Sequence, residues 1–379
     1  MPSASFPAEA TVTAALRRFL RACPELWRAD EARRRAAWAI TRCRTPAMGG
    51  HLHGCGKCGQ RVFTYHSCNH RSCPQCGQAA TAQWVGAQLA RRVGAPYFMV
   101  TFTLPQQLRE LFHGAAAKAV YDLFFHAASD ALAYTLAHPR WLGAVKNGFS
   151  LVLHTWNQRL GFHPHLHGIV PGVGVDANGH VVTVKNRNFL VPVPALRKAF
   201  RESFRSGLAA LRGEHELPPA DPAVWQKDWG VHLQPFGDGT RAIQYLGTYI
   251  CRTAISDARI LAVDDTHVTF RWKDRAQKAR ARTERVEGTE FVRRYMRHVL
   301  PKGLRAVRHY GFQHPAAKAT RERVAFHTGR PLHTPAPPPK PTPFAPRCPC
   351  CSEPMVKLPL SLLPLWKSGL SPPKSNQCA

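Results

Sequence analysis

His163, His165 and His167 occupy alternate positions in the stretch Gly-Phe-His-Pro-His-Leu-His-Gly-Ile-Val that runs from Gly161 to Val170. In an extended strand successive side chains face opposite sides, so the three imidazoles share one face. Neutral imidazole is the commonest side-chain metal ligand near pH 7. Two histidines flanking one apolar residue can hold one ion while Leu166 anchors the opposite face in a core. A half-buried strand with a polar face would explain one histidine, whereas three at period two favour a metal site.

A second pair of candidates lies in Gln-Tyr-Leu-Gly-Thr-Tyr-Ile-Cys-Arg, which spaces Tyr245 and Tyr249 four residues apart. On a helix they fall on one face. Two core aromatics beside Leu246 and Ile250 would give the same pattern. A phenol can instead attack a phosphodiester to give a phosphotyrosine that a second hydroxyl later reverses. Two tyrosines would hold two such links in sequence. A divalent ion on the histidine face would stabilise the charge that develops on the phosphate.

The third group is cysteine. Cys55-x2-Cys58 is followed after fourteen residues by Cys73-x2-Cys76. Two such hooks can close one tetrahedral zinc site, and the glycine after each permits the turn. Cys68, His53, His66 and His70 lie close enough to substitute for a ligand or to build a second site. A further hook, Cys348-x2-Cys351, has no second hook near it in sequence and is left unassigned. Seven of the twelve cysteines fall in the first 76 residues. The N-terminus has no basic start followed by an apolar run, so metal thiolates in a reducing cytoplasm are expected rather than disulfides.

The chain that must position these groups has 379 residues, 44% of them hydrophobic, a formal net charge of +29 and a pI near 10.4. It is long enough for two domains and a real core. Such an excess of basic charge calls for a polyanionic partner, nucleic acid before an anionic membrane. No run of about 18 apolar residues exists to support a membrane reading. Residues 271–308 carry thirteen Lys and Arg against four acidic residues, interleaved with Trp272, Phe291 and Tyr295. That pattern fits either a solvated helix face or a track for a single-stranded backbone with stacking side chains.

Helical periodicity covers 12–42, 79–93, one or two helices within 106–137, a segment after Pro194, 241–253 and 289–300. Strand patterns appear at 96–105, 149–156, the histidine stretch, 180–184, 229–236, a pair near 259–272, and 304–312. The two kinds mix without regular βαβ alternation, which predicts an α+β fold with an antiparallel sheet. The expected organisation is a helical, zinc-binding part over 1–92, the domain with the histidine and tyrosine residues over 93–313, a Pro-rich linker over 314–347, and a short Cys-containing tail over 348–379.

The combination resembles the HUH endonucleases, named for His-hydrophobic-His, and within them the IS91 family of insertion-sequence transposases. The fragments that carry it run in order from about residue 40 to 312: YHSCNHRSCPQC, FMVTFTLP, VLHTWNQ, HPHLHGIVPG, YLGTYICRTAISDARI, VTFRWKD and HVLPKGLRAVRHYGF. The resemblance implies a rolling-circle transposase that nicks single-stranded DNA at element ends through a 5′-phosphotyrosine and passes the strand to a target. Under it His165 and His167 are ligands of a catalytic Mg2+ or Mn2+, Tyr245 and Tyr249 are the paired nucleophiles, and the N-terminal cysteines hold structural Zn2+. Gln158, His154 and His163 are candidates for the third ligand, with Gln158 preferred by analogy with related nucleases. Arg241, Arg252, Lys273, Arg293 and Arg294 are the expected DNA contacts. Thr248 stands between the tyrosines where a basic residue is expected, so Arg241 or Arg252 must neutralise the phosphate. A cytoplasmic protein associated with the nucleoid through DNA is implied. A plasmid replication initiator or relaxase with the same chemistry, and a non-enzymatic zinc-containing nucleic-acid binder, are the competing expectations.

Overall fold

The structure is a computed structural model that describes residues 10–28, 30–76, 78–250, 254–274, 277, 279–330 and 346–359. Helices α1 (Val12–Leu20), α2 (Glu25–Arg28) and α3 (Glu31–Arg42) open it. The sequence suggested one continuous helix here. Pro24 supplies no N–H and ends that run; one polar cap starts α1 and another starts α3. The Thr11 hydroxyl accepts from the Ala14 N–H at 3.0 Å and the Asp30 carboxylate accepts from Arg33 at 2.9 Å. An unanticipated hairpin follows, β1 (Gly50–Gly54) and β2 (Arg61–Tyr65), and then α4 (Gln78–Ala90).

The next elements are β3 (Tyr97–Thr103), α5 (Ala117–Ala137), β4 (Gly148–Trp156), β5 (Phe162–Pro171), the short β6 (Val173–Val175) and β7 (Val181–Thr183), α6 (Val193–Glu214), β8 (Gly230–Pro235) and α7 (Thr240–Ile250). Beyond them come β9 (Ile260–Val263), β10 (His267–Asp274), β11 (Arg280–Glu287), α8 (Gly288–Met296), β12 (Val307–Gly311), α9 (Lys318–His327) and β13 (Val356–Lys357). The main sheet has the order β12-β4-β5-β3-β8, and every neighbouring pair is antiparallel. The fold is α+β, as expected.

Alternation along the strands divides this sheet into two faces. Phe98, Val100 and Phe102 of β3, Leu151 of β4 and Leu166 of β5 are buried under α5 and α6. Rings interlock there, with Phe102 and Phe200 centred 5.0 Å apart. On the opposite face Met99, Val152 and Ile169 pack beneath Ile243 and Leu246 of α7 and Val324 of α9. Farther along that same face stand Thr101, His154, His165 and His167.

A second core joins parts that the sequence assigned to different domains. Leu16, Phe19 and Ile40 pack with Phe270, Phe291 and Tyr295 of the sheet β11-β10-β9 and α8. Packing is therefore continuous across the boundary expected at residue 92. The basic region is two strands and a helix rather than one helix face. The segment expected to be a linker contains α9, whose Arg321, Val324 and Ala325 are buried; residues 331–345 lie outside the described residues. The tail contributes order too, since β13 pairs antiparallel with β1.

Candidate functional site

Register assembles the histidine site. Strands β4 and β5 pair with His154 opposite His165, and β3 places Thr101 opposite His167. The ring nitrogens of His154, His165 and His167 that could hold a metal lie within 4.8 Å of one another. The imidazole that joins His165 and His167 is that of His154, one of the candidates for the third ligand beside Gln158 and His163. Gln158 lies past the end of β4, in a turn held by the Asn157 side chain, which accepts from Arg159 at 2.9 Å and from Gly161 at 2.8 Å. It lines the same cavity, but its amide oxygen lies 3.5 Å from the Lys273 backbone N–H.

A neighbouring carbonyl fixes the tautomer of His165. The Nδ1 of His165 donates to the His163 carbonyl at 2.7 Å, which makes Nε2 the electron-pair donor of that ring. The Nδ1 of His167 meets the Thr101 hydroxyl at 3.0 Å, an outer contact that orients the ring. Burial, then the neighbouring His167 and His165, hold His154 well below the ordinary histidine range. It is therefore neutral and ready to ligate. His163 is engaged elsewhere. Arg109 donates to its Nδ1 at 2.7 Å, and burial, His165 and Arg109 bring it down to about 4.

The histidines floor an open cavity of about 530 Å³ that Tyr245 also lines. Among the described residues its lining includes Arg159 and Lys273 but no carboxylate, so a bound cation there would find its balancing charge on an anionic substrate. Two walls are aromatic. Trp156 stacks on His154 with centroids 5.5 Å apart, and Trp272 lies under the Arg159 guanidinium at 5.3 Å. Arg159 is held by Glu284 through two hydrogen bonds of 2.8 and 3.0 Å. Trp156 and Arg159 were not singled out as site residues in the sequence, since the turn at 157–161 is what brings Arg159 to the cavity, whereas Trp272, weighed as a stacking side chain of the basic region, reaches it on β10.

Tyr245 is partly exposed on α7. Tyr249 belongs to the same helix, but its side chain lies outside the described residues, as does Arg252. Between the tyrosines, Gly247 permits α7 to approach α4: a Cβ there would lie 2.1 Å from Val85 Cγ2. Arg241 and Lys273 are exposed, and Arg293 is exposed while paired with Glu290. Arg294, expected as a DNA contact, is engaged within the protein. Its guanidinium is bound to Glu284 at 2.9 Å, Glu290 at 2.7 Å and the Arg159 carbonyl at 3.1 Å, so it braces the cavity wall.

The cysteines expected to form one site are divided between two. Cys73 and Cys76 stand with Cys43 and Cys68; the sulfurs of Cys43 and Cys68 lie 3.7 and 3.8 Å from that of Cys76. A tetrahedron with Zn–S bonds of about 2.3 Å needs sulfurs about 3.8 Å apart, so this set fits zinc. Burial pushes the Cys68 thiol up to about 11 and the Cys73 thiol up as well. A cation among them is what would favour the thiolates. Cys55 and Cys58 stand apart, beside Cys348 and Cys351. The hooks separate because β1 and β2 carry the first one away to the edge where β13 docks.

Residues 15–104 match the family described as "Transposase zinc-binding domain", and residues 148–321 match the family described as "Putative transposase". The chain is 37% identical over 297 residues to "Putative transposase y4qJ" of Sinorhizobium fredii, with 74% of each chain covered. It is 26% identical over 296 residues to the transposase for insertion sequence element IS801 of Pseudomonas savastanoi pv. phaseolicola, with 71% of this chain and 67% of that one covered. No solved structure matches. Among the described residues no helix is long and apolar enough to cross a membrane. A zinc-binding module followed by a transposase domain, together with this extent of identity, places the chain in the IS91 family of transposases.

Proposed function

We propose that this transposase nicks single-stranded DNA at element ends, holds the strand as a 5′-phosphotyrosine and passes it to a target, using His154, His165 and His167 for a catalytic Mg2+ or Mn2+. One observation carries the reading: three convergent imidazoles floor a cavity that also admits the Tyr245 side chain. When bound, the divalent ion supplies Lewis acidity at a phosphate oxygen. Three neutral nitrogen donors suit Mn2+ better than the harder Mg2+.

In the proposed step the Tyr245 phenolic oxygen forms a bond to phosphorus as the bond to the 3′-oxygen breaks. The phenol gives up its proton and the departing 3′-oxygen gains one. Arg159 and Lys273 neutralise the strand, while Trp156 and Trp272 accept unstacked bases, which is the support for a single-stranded substrate. Tyr249 takes the second transfer. The N-terminal zinc module holds the fold and helps recognise element ends.

The test uses labelled single-stranded DNA bearing an element end, Mn2+, and denaturing gels. Wild type is expected to yield a covalent adduct. Tyr245→Phe with Tyr249→Phe is expected to yield none while still binding the strand. An adduct that persists in the double variant moves the nucleophile elsewhere and overturns the assignment. Tyr295, whose hydroxyl donates to the Ser72 carbonyl at 2.7 Å, and Tyr310 would be the next nucleophiles to replace.

A further inference from the structure

The C-terminal hook has no partner nearby in sequence, but it has one in space. We infer that Cys55, Cys58, Cys348 and Cys351 form a second tetrathiolate Zn2+ site, shared between the two ends of the chain. The zinc-binding family match ends at residue 104 and so assigns neither Cys348 nor Cys351.

The sulfurs are already at coordinating distances. Cys55 to Cys351 is 3.4 Å, Cys58 to Cys348 is 3.4 Å and Cys58 to Cys351 is 3.7 Å. These approach the tetrahedral edge of about 3.8 Å set by Zn–S bonds of about 2.3 Å. Backbone geometry gives independent support, because the two hooks are built alike. The Cys55 N–H donates to the Gln60 carbonyl at 2.9 Å, and the Cys348 N–H donates to the Glu353 carbonyl at 2.8 Å. The Gly59 N–H donates to the Cys55 carbonyl at 3.0 Å, and the Ser352 N–H to the Cys348 carbonyl at 2.9 Å. Gly59 and Ser352 hold matching positions with φ of 74° and 60°. A serine is uncommon in that left-handed region and persists there when its surroundings demand it.

Apolar packing does not explain why residues 346–359 stay in place. The buried cluster around the hooks consists of Cys55, Cys348 and Met355, with Val62 and Cys351 at its margin. Strand β13 is two residues long. One ion pair, Lys57 to Glu353 at 3.5 Å, joins exposed side chains and contributes little. Four thiolates around one ion add to the β1–β13 ladder and to the Leu358 N–H bond to the Leu52 carbonyl, and they tie residues 290 or more positions apart.

Elemental analysis of the full-length protein, prepared without a metal-affinity step, tests the site. Two zinc ions per chain are expected. Cys348→Ser with Cys351→Ser should hold one and should become open to trypsin at Arg347 and Lys357. Cys351→His, which restores a donor, should keep two. A wild type with one zinc, or a double serine variant that keeps two, overturns the site. A measurement on unaltered protein stands beside these in case the serine variant fails to fold. Cys348 and Cys351 should resist alkylation until a chelator is added. Their modification in native, metal-loaded protein before chelation also overturns the proposal.

Discussion

The cysteine cluster at residues 43–76 and the histidine face both gather metal-binding side chains, but they differ in closure. Four sulfurs lie within 4.8 Å of one another, enough to fill a tetrahedral shell by themselves. The histidines approach from one side and leave the other open to a cavity of about 530 Å³. A closed sphere suits a structural ion, and an open one suits an ion that must also hold substrate. The two also differ in what decides their membership. Cysteine ligands come from segments joined by the tertiary path, whereas the histidine set follows from the register of two adjacent strands.

The sharpest test of this division is Cys73→Ser. Closed sites of this kind contribute about 10–16 kcal/mol to folding, so losing one thiolate should cost several kcal/mol. Denaturant unfolding should register that loss, while strand cleavage by the fraction still folded should change little. A variant as stable as wild type would break the comparison from the structural side.

Changes on the open side should do the reverse. His154→Ala, His165→Ala or His167→Ala should each lower metal-dependent cleavage by about 10²–10³-fold. DNA binding, which rests on distributed charge, should hold within about twofold in a filter-binding titration. His163→Ala should lose less, within about tenfold or ~1.4 kcal/mol, because its Nδ1 is engaged by Arg109. Equal loss at His163 and His154 would put His163 among the ligands.

A smaller effect probes the contact between the two regions. Gly247→Ala pushes a methyl into Val85 and should destabilise by about 1–3 kcal/mol. Val85→Ala in the same chain should recover most of it. Absence of recovery in the double-mutant cycle would mean that α4 does not brace the tyrosine helix.

The smallest expected effect is one of pH. His298, stacked on Phe162 and bonded to Thr155, is brought down to about 4, chiefly by burial, and His309 likewise. Below pH about 6.5 the unfolded chain takes up these protons while the folded chain does not, so the stability these two histidines confer should fall from there to about pH 4 and their effect then level off. The melting temperature of His298→Gln should decline less over that window than that of wild type.

Some of this was legible in sequence for local reasons. The period-two histidines state their own face, and Tyr245 and Tyr249 state their spacing, because strand and helix geometry act over a few residues. The cysteine pairings were not legible. Each hook is local, but which hook meets which depends on where the β1–β2 hairpin and residues 346–359 are carried. His154 was within view among the candidates for the third ligand; that its imidazole meets those of His165 and His167 follows from the register of β4 against β5, with its irregularity between His154 and Trp156. Strand β11, Arg-Ala-Arg-Thr-Glu-Arg-Val-Glu, has mostly charged, exposed residues and is held by pairing with β10 rather than by an apolar pattern. Helix α9 was hidden for a similar reason, since it offers the core little more than Arg321, Val324 and Ala325.

The split of the second cysteine set across the chain has a consequence for biosynthesis. Cys43, Cys68, Cys73 and Cys76 leave the ribosome together, so their site can close while the main sheet is still being made. Cys58 must wait for Cys348, 290 residues later, which at about 5–20 residues per second is roughly 15–60 s. During that interval one hook is an exposed pair of thiols on a nascent chain. Zinc supply would then govern the two ends unequally: scarcity would leave a molecule with its first site formed and its terminal clasp undone, while a ribosome that stops before Cys348 releases a product that cannot fasten it at all.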